Sequence, residues 1–429
     1  DYAYQAVYGS VPYSFNSAPV VGLRQGTTAN LGLQWESTTQ TDIGLEATLF
    51  RSLNIEIDWY NRLTDGILTA PPVALVLGTA QAPLQNTASV LNRGIEVNLN
   101  WTKKIGDVTL SLGGNAAYNY NRVVDYKGKL EEGWTTDAGG NRVYKTNNGA
   151  VFNSTTSNSV IVEDHMMYDF YIYNRYRGDG SYTNGDGSIN INGGPKDGMI
   201  RTADDLNWVR AMIAAGYSFA PVSSVATSSN KNLLNYGDFI YADNNGDGIY
   251  GNSFDRKFTG TSTTPKYNFG FNVNLSWKGF DLAMLWAGAT GMQYYWNDGY
   301  NTVATRNGFH VTERIANNHY YYNEANPSDP NNNINGKYPR LKYNSDGQNS
   351  VFNDFWLYDA SFFKLKNLQI GYTIPAHITS KALISRARVY LSAENLLLIT
   401  KYPGLDPEIG PSVGYPTMKQ FAAGVTVTF

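Results

Sequence analysis

A chain of 429 residues with 42 glycines, 14% aromatic and only 16% charged side chains is poor material for disorder and rich in strand and turn formers. Its net charge of -3 and pI near 5.9 leave no basic footprint for nucleic acid. Zero cysteines exclude disulfides, thiolate metal sites and cysteine nucleophiles. The absence of any run of about 18 apolar residues excludes a transmembrane helix, but a transmembrane strand needs only about 9–11 residues of alternating pattern. A mean hydropathy of -0.37 is therefore no argument against a membrane.

The chain opens at Asp1 without an initiator Met or a secretory leader, which suggests a mature fragment. From Thr38 to Phe50, Ile43, Leu45, Ala47 and Leu49 alternate with Asp42, Gly44, Glu46 and Thr48. After Arg51-Ser52, Leu53, Ile55, Ile57 and Trp59 alternate with Asn54, Glu56 and Asp58, which makes a hairpin. A second hairpin joins Val90 to Thr102, with Ile95, Val97, Leu99 and Trp101 opposite Glu96, Asn98 and Asn100, to the run that starts at Val108. A third joins Pro265–Trp277 to Phe280–Thr290 across Lys278-Gly279. Strands over Trp356–Thr373, Arg386–Thr400 and Thr417–Phe429 complete the set; in the last, Phe421, Ala423, Val425, Val427 and Phe429 share one face.

These faces are apolar on one side and carry Asn, Ser, Thr, Gly, Asp or Glu on the other, as a barrel with lipid outside and water inside requires. The expected fold is all-β, a transmembrane antiparallel β-barrel. Nine strands place the short links (51–52, 103–107, 278–279, 374–385) on one side and the long ones (65–89, 122–264, 291–355, 402–416) on the other. That is the asymmetry of periplasmic turns and extracellular loops. It places the C-terminus at the periplasmic side and residues 1–34 outside. An odd count in one chain predicts that residues 1–429 are the C-terminal part of one larger barrel domain.

The link 122–264 is too long to be structureless and reads as an extracellular insertion. Within it, Tyr168–Tyr176 and Tyr236–Ala242 are candidates for an extra hairpin. Asp243, Asn245 and Asp247 before Gly248 place three oxygen side chains at alternate positions, as a calcium loop does, with the Ile249 carbonyl and Asp255 as further ligands. An EF-hand would have a Glu at the twelfth position, which here is Phe254. The competing reading is a Gly-rich turn capped by Asn and Asp. Tyr294, Tyr295, Trp296, Tyr320, Tyr321 and Tyr322 are candidate substrate contacts through ring faces and hydroxyls, with loop packing or an interfacial girdle as the alternative. Asp42, Glu46, Glu56, Asp58 and Glu96 are explained by luminal alternation, and His165, His310, His319 and His377 lack ligand spacing, so no enzyme is expected.

Several stretches together resemble the C-terminal half of SusC/RagA-type TonB-dependent outer-membrane transporters. They are LQWESTTQTDIGLEATLFRSLNIEIDWYNRLTDGIL, GDFIYADNNGDGIYGNSFDR, PKYNFGFNVNLSWKGFDLAMLWAGATG, YDASFFKLKNLQIGYTIP, RVYLSAENLLLITKYPGLDPEIG and YPTMKQFAAGVTVTF. The resemblance covers most of the chain except roughly residues 123–233. It implies a 22-stranded barrel filled by an N-terminal plug that this chain does not contain, energised through TonB and covered by a SusD-like surface lipoprotein. The family's closing Asp-Arg matches Asp255-Arg256, with one residue more than the usual spacing. The function expected is import of an oligosaccharide or oligopeptide across a bacterial outer membrane, with no cofactor required and calcium as the candidate ion. A passive pore or adhesin on the same barrel and a soluble β-rich glycan-binding module are the alternatives.

Overall fold

The computed structural model describes residues 5, 7–27, 29–70, 83–227, 230, 233–296, 304–305, 311–343, 346–411 and 414–429. His310 and parts of the links 65–89 and 291–355 lie outside the described residues. The long strands are β1 (Val7–Phe15), β2 (Ala18–Thr27), β3 (Ser37–Leu49), β4 (Leu53–Thr69), β5 (Gln85–Ile105), β6 (Val108–Tyr126), β7 (Tyr267–Trp277), β8 (Phe280–Thr290), β9 (Phe362–Ile374), β10 (Arg386–Thr400) and β11 (Gln420–Thr428). Strands β3 to β11 form one nine-stranded sheet in chain order, every neighbour antiparallel.

Register carries the alternation intact across the whole sheet. Leu45 faces Ile57, Ile57 faces Val97, Val97 faces Ala116 and Ala116 faces Phe269. Phe269 faces Gly288, and beyond a bulge in β9 the row resumes as Leu368, Ala393 and Phe421. A one-residue slip anywhere would move this apolar row to the other face. The outer side chains have no protein above them: Ile43 is 66% and Val425 68% exposed. Such a surface is stable only against lipid.

Aromatic side chains band this outer face at two heights. Near the short turns Phe280 packs on both Trp277 and Tyr372, with ring centroids 6.4 and 4.5 Å away. Tyr118 and Tyr267 pair at 5.0 Å near the long loops. From Tyr267 to Trp277 a strand rises about 34 Å, which a tilt of 35–45° reduces to about 25 Å, the height of an outer-membrane apolar band.

Two features depart from the sequence expectation. First, residues 7–27, where no strand was expected, form the β1–β2 hairpin, a separate two-stranded sheet. Its turn residues Asn16 and Ser17 both have positive φ (49° and 63°), as do Phe50 and Arg51 (53° and 56°) between β3 and β4, the conformation that fits tight hairpin turns to strand twist. Second, 168–176 and 236–242 add no barrel strands. Asp169–Tyr173 pairs with Arg256–Phe258 and Ser159–Val160, and the residues after it meet 236–242 in a short antiparallel contact, the Arg175–Tyr241 bridge flanked by the Tyr176 N–H on the Ile240 carbonyl and the Ala242 N–H on the Asn174 carbonyl (both 2.9 Å). Phe170, Tyr171, Ile172, Phe239, Ile240 and Tyr241 are all buried, which a wall strand with one lipid face would not allow.

The barrel strands also run further than expected. With 21 and 19 residues, β5 and β6 exceed what a bilayer needs, so the wall continues into the loop side. There the β6–β7 and β8–β9 links fold into one cap with its own core. Its largest cluster gathers Tyr176, Ile200, Leu206, Trp208, Val209, Met212, Phe219, Leu234, Ile240 and Tyr250 around the helix Ala203–Ala214. That helix starts on a Thr202/Asp205 capping box, which satisfies backbone donors that its first turn cannot. The two links are stitched together by Arg175 on Asp354 (2.9 Å), Phe239 N–H on Asn349 Oδ1 (2.8 Å) and the Tyr320 hydroxyl on the Arg201 carbonyl (2.6 Å).

Candidate functional site: the luminal wall and its cap

The luminal face carries Asp42, Glu46, Glu56, Asp58 and Glu96, as the alternation predicts. Glu46 lies opposite Glu56 and Asp58 opposite Glu96 in the register. Around them stand Asn98, Asn100, Asn115, Asn272 and Asn274, with Asn98 donating to Glu56 (2.9 Å) and Asn100 to Asn98 (3.2 Å). This is a hydrated, hydrogen-bonding surface with net negative charge near β3 to β5.

At the loop end of that wall the structure opens a cleft of about 620 Å³. Its floor is Tyr60 and Arg62 on β4, Asn92 on β5, Asn119 and Asn121 on β6 and Asn268 on β7; its rim is 164–169 and 260–266. The Tyr60 hydroxyl donates to Asn119, and Asn121 is held between Asn92 (3.1 Å) and the Met167 N–H (2.7 Å). None of the floor residues is singled out by the sequence. Strand β6 leaves β7 at Tyr118, and only the return of 164–169 from the cap closes the far side.

The aromatic candidates are divided by burial. Tyr294, Trp296 and Tyr320 are buried, and the hydroxyl of Tyr294 is spent on the Pro407 carbonyl (2.7 Å). Tyr295 donates to the Val351 carbonyl (3.1 Å) and packs on Phe352. These four hold the cap together. Tyr321 is 41% exposed, and with Tyr322 it lines a second depression beside Asn235, Tyr236 and Glu324.

The Asp243–Asp255 loop is tightly organised. Asp243 accepts from the N–H groups of Gly246 (2.7 Å), Asp247 (3.2 Å) and Gly248 (2.9 Å), Asn245 Oδ1 accepts from Asp247 (3.1 Å), and Asp247 Oδ1 accepts from Ile249 (2.8 Å). The carbonyls of Gly248 and Tyr250 are taken by Ser218 and Ala220 (both 2.9 Å), and strand alternation turns the Ile249 carbonyl the other way. Asp255 departs from the expected ligand role. It is fully buried, and its two oxygens accept from the N–H groups of Asn244, Asn245, Gly251 and Asn252. Burial pushes its carboxyl up to about 6 against those donors. Asp255 thus clasps the loop ends, and Arg256 fastens the clasp to the cap by donating to the carbonyls of Thr155, Ser157 and Tyr171. Among the described residues no three His, Asp or Glu side chains converge as a metal cluster, so any ion here would rest on two carboxylates, Asn245 and carbonyls.

A sheet with one lipid-facing and one hydrated face, short turns at one end and a folded cap at the other defines an outer-membrane β-barrel. Residues 2–219 match the family described as TonB dependent receptor-like, beta-barrel, and the chain belongs to that family. It is 25% identical to TonB-dependent receptor P3 of Formosa agariphila over 94% of this chain and 35% of that protein. It is 20% identical to TonB-dependent receptor SusC of Bacteroides thetaiotaomicron over 93% of this chain and 32% of that protein. The chain thus spans about a third of the curated relatives it matches. Among solved structures, the RagAB peptide importer in its open-open state matches with a TM-score of 0.66 and 23% identity over all of this chain and 38% of that one. The likeness extends to the C-terminal barrel portion anticipated from the strands.

Proposed function

We propose that this chain forms the C-terminal part of the wall and cap of a transporter that imports an oligomeric nutrient, a glycan or a peptide, across the outer membrane with energy from TonB. The observation that carries the reading is the pairing of a hydrated luminal wall with a large, self-cored cap, in a chain of the TonB-dependent receptor family. A passive pore needs no cap of that size; a capture step does. The likeness to the RagAB peptide importer supports the peptide class, and the SusC-type resemblance of the sequence supports the glycan class. The same likeness supports a SusD-like lipoprotein as the partner resting on the cap, and TonB acting through the part of the protein that carries the plug. In this orientation Phe429 lies at the periplasmic side. Cells lacking the full-length protein should lose uptake of its nutrient, as should cells with the protein but without TonB. Uptake that persists without TonB would point to a passive pore instead.

We also infer that Asp243, Asn245 and Asp247 with the Ile249 carbonyl hold a calcium ion. The donor set is hard oxygen, which suits calcium over a transition metal. Extracellular calcium modules bind with dissociation constants of about 0.1–1 mM. At about 2 mM calcium the gain in cap stability is therefore about 0.6–1.8 kcal/mol. Protease resistance of the cap should rise with calcium in the native protein and stay flat in Asp247→Ala. Equal resistance with calcium and with chelator would leave a capped turn.

A further inference from the structure

The cleft at the loop end of the luminal wall combines three independent features. Its volume, about 620 Å³, lies within the range of about 300–1,000 Å³ usual for small-molecule sites. Its rim holds two non-glycine residues in the left-handed region, Asp164 at φ 69° and Tyr168 at φ 60°. A bulky aromatic rarely adopts that backbone, and it persists only where the surroundings over-determine it, as they do at ligand clamps. Here the strain leaves the Tyr168 ring 48% exposed over the cleft, although apolar residues were available in the cap to bury it.

The wall chemistry narrows the ligand. The carboxamides of Asn92, Asn119 and Asn268 each carry donors and an acceptor on one planar group, and the Asn92 and Asn119 oxygens, which already accept from Asn121 and Tyr60, keep a second lone pair. A hydroxyl also donates and accepts, so vicinal hydroxyls match such groups without any charge. The carboxylates on the rim already have partners, Asp164 in Arg122 and Lys129 (2.8 Å) and Asp169 in His165 (3.3 Å), and the Lys266 ammonium donates to the Gly260 carbonyl (2.8 Å). Neither lining carboxylate is left to meet the amino terminus or the cationic side chains of a peptide, while Arg62 at the edge can fork onto neutral hydroxyls. We propose that this cleft is a sugar subsite, in which Tyr168 stacks on a pyranose ring of a neutral oligosaccharide while the asparagine carboxamides bind its hydroxyls. The inference rests on the import reading and deepens it by choosing glycan over peptide.

The test uses the full-length transporter with its lipoprotein partner in detergent. The probes are neutral hexasaccharides of glucose, mannose and galactose, with a tryptic casein digest as the peptide probe. Tyr168→Gly removes the ring and relieves the backbone, and Asn268→Ala removes a carboxamide, so neither should lower the melting temperature. At least one hexasaccharide should bind, and each substitution should weaken it about tenfold or more. Binding that neither substitution changes would place the sugar elsewhere. Retention of the casein peptides alone, or of no probe, would overturn the subsite. Both results are separable from failure of the import reading, which appears instead as nutrient uptake that does not require TonB.

Discussion

Replacing Asp238 with Ala should unravel the cap while leaving the barrel assembled. Asp238 is fully buried and accepts from Arg340 at 2.9 and 2.8 Å, from Lys342 at 2.9 Å, from Asn349 at 2.9 Å and from the Asn235 N–H at 3.0 Å. Its partners come from both long links, and the Arg340 and Lys342 side chains are themselves only 18% and 8% exposed. Removing the carboxylate leaves two cations buried with less compensation, a loss of about 3–5 kcal/mol for a broken buried pair. Hydrogen exchange should accelerate across 233–242 and 338–350, and proteases should cut there. The barrel's resistance to unfolding in SDS should be unchanged, because strands β3 to β11 make no use of this network. Exchange equal to wild type would mean that the two links are held by their apolar clusters alone.

Replacing Val273 with Arg should cost about 2–4 kcal/mol, the penalty for a cation at mid-bilayer on a barrel's lipid face. Val273 sits in β7 between Leu112 and Met284, and near mid-height between Tyr267 and Trp277, so its side chain has no interface within easy reach. Asn274, one residue on, faces the lumen between Ser111 and Ala283. Asn274→Lys should therefore change stability far less. Folding measurements into lipid vesicles with both variants check the assignment of faces. Equal penalties would mean that the strand has no lipid side.

The two experiments divide the molecule where sequence and tertiary structure divide it. Strands β3 to β11 were legible because a barrel strand writes its environment locally: each residue meets lipid or water according to parity alone, so Ile43 and Asp42 declare their faces without knowledge of any partner. The short turns followed from the same parity. The β1–β2 hairpin escaped because its turn, Asn16-Ser17, lacks the glycine that marks such turns, and Ser17 takes positive φ without it.

The cap was legible only as a length. Tyr294, Trp296 and Tyr320 look like exposed binding aromatics in sequence because nothing local distinguishes a ring that stacks on sugar from one that fills a core; contacts with Pro407, Tyr402 and Arg201, all more than 100 residues away, decide it. Asp255 looked like a metal ligand by spacing, yet its oxygens are saturated by backbone donors that only the closed loop brings together. The cleft residues Tyr60, Asn92, Asn119 and Asn268 are ordinary luminal positions in their strands, and become a site only when 164–169 folds back over them. By itself the sequence determined the wall, because lipid and water act on each strand residue singly. Which residues form the cap's core, its clasp and its cleft was decided by tertiary structure, because those roles depend on contacts between segments whose spacing in the chain carries no period.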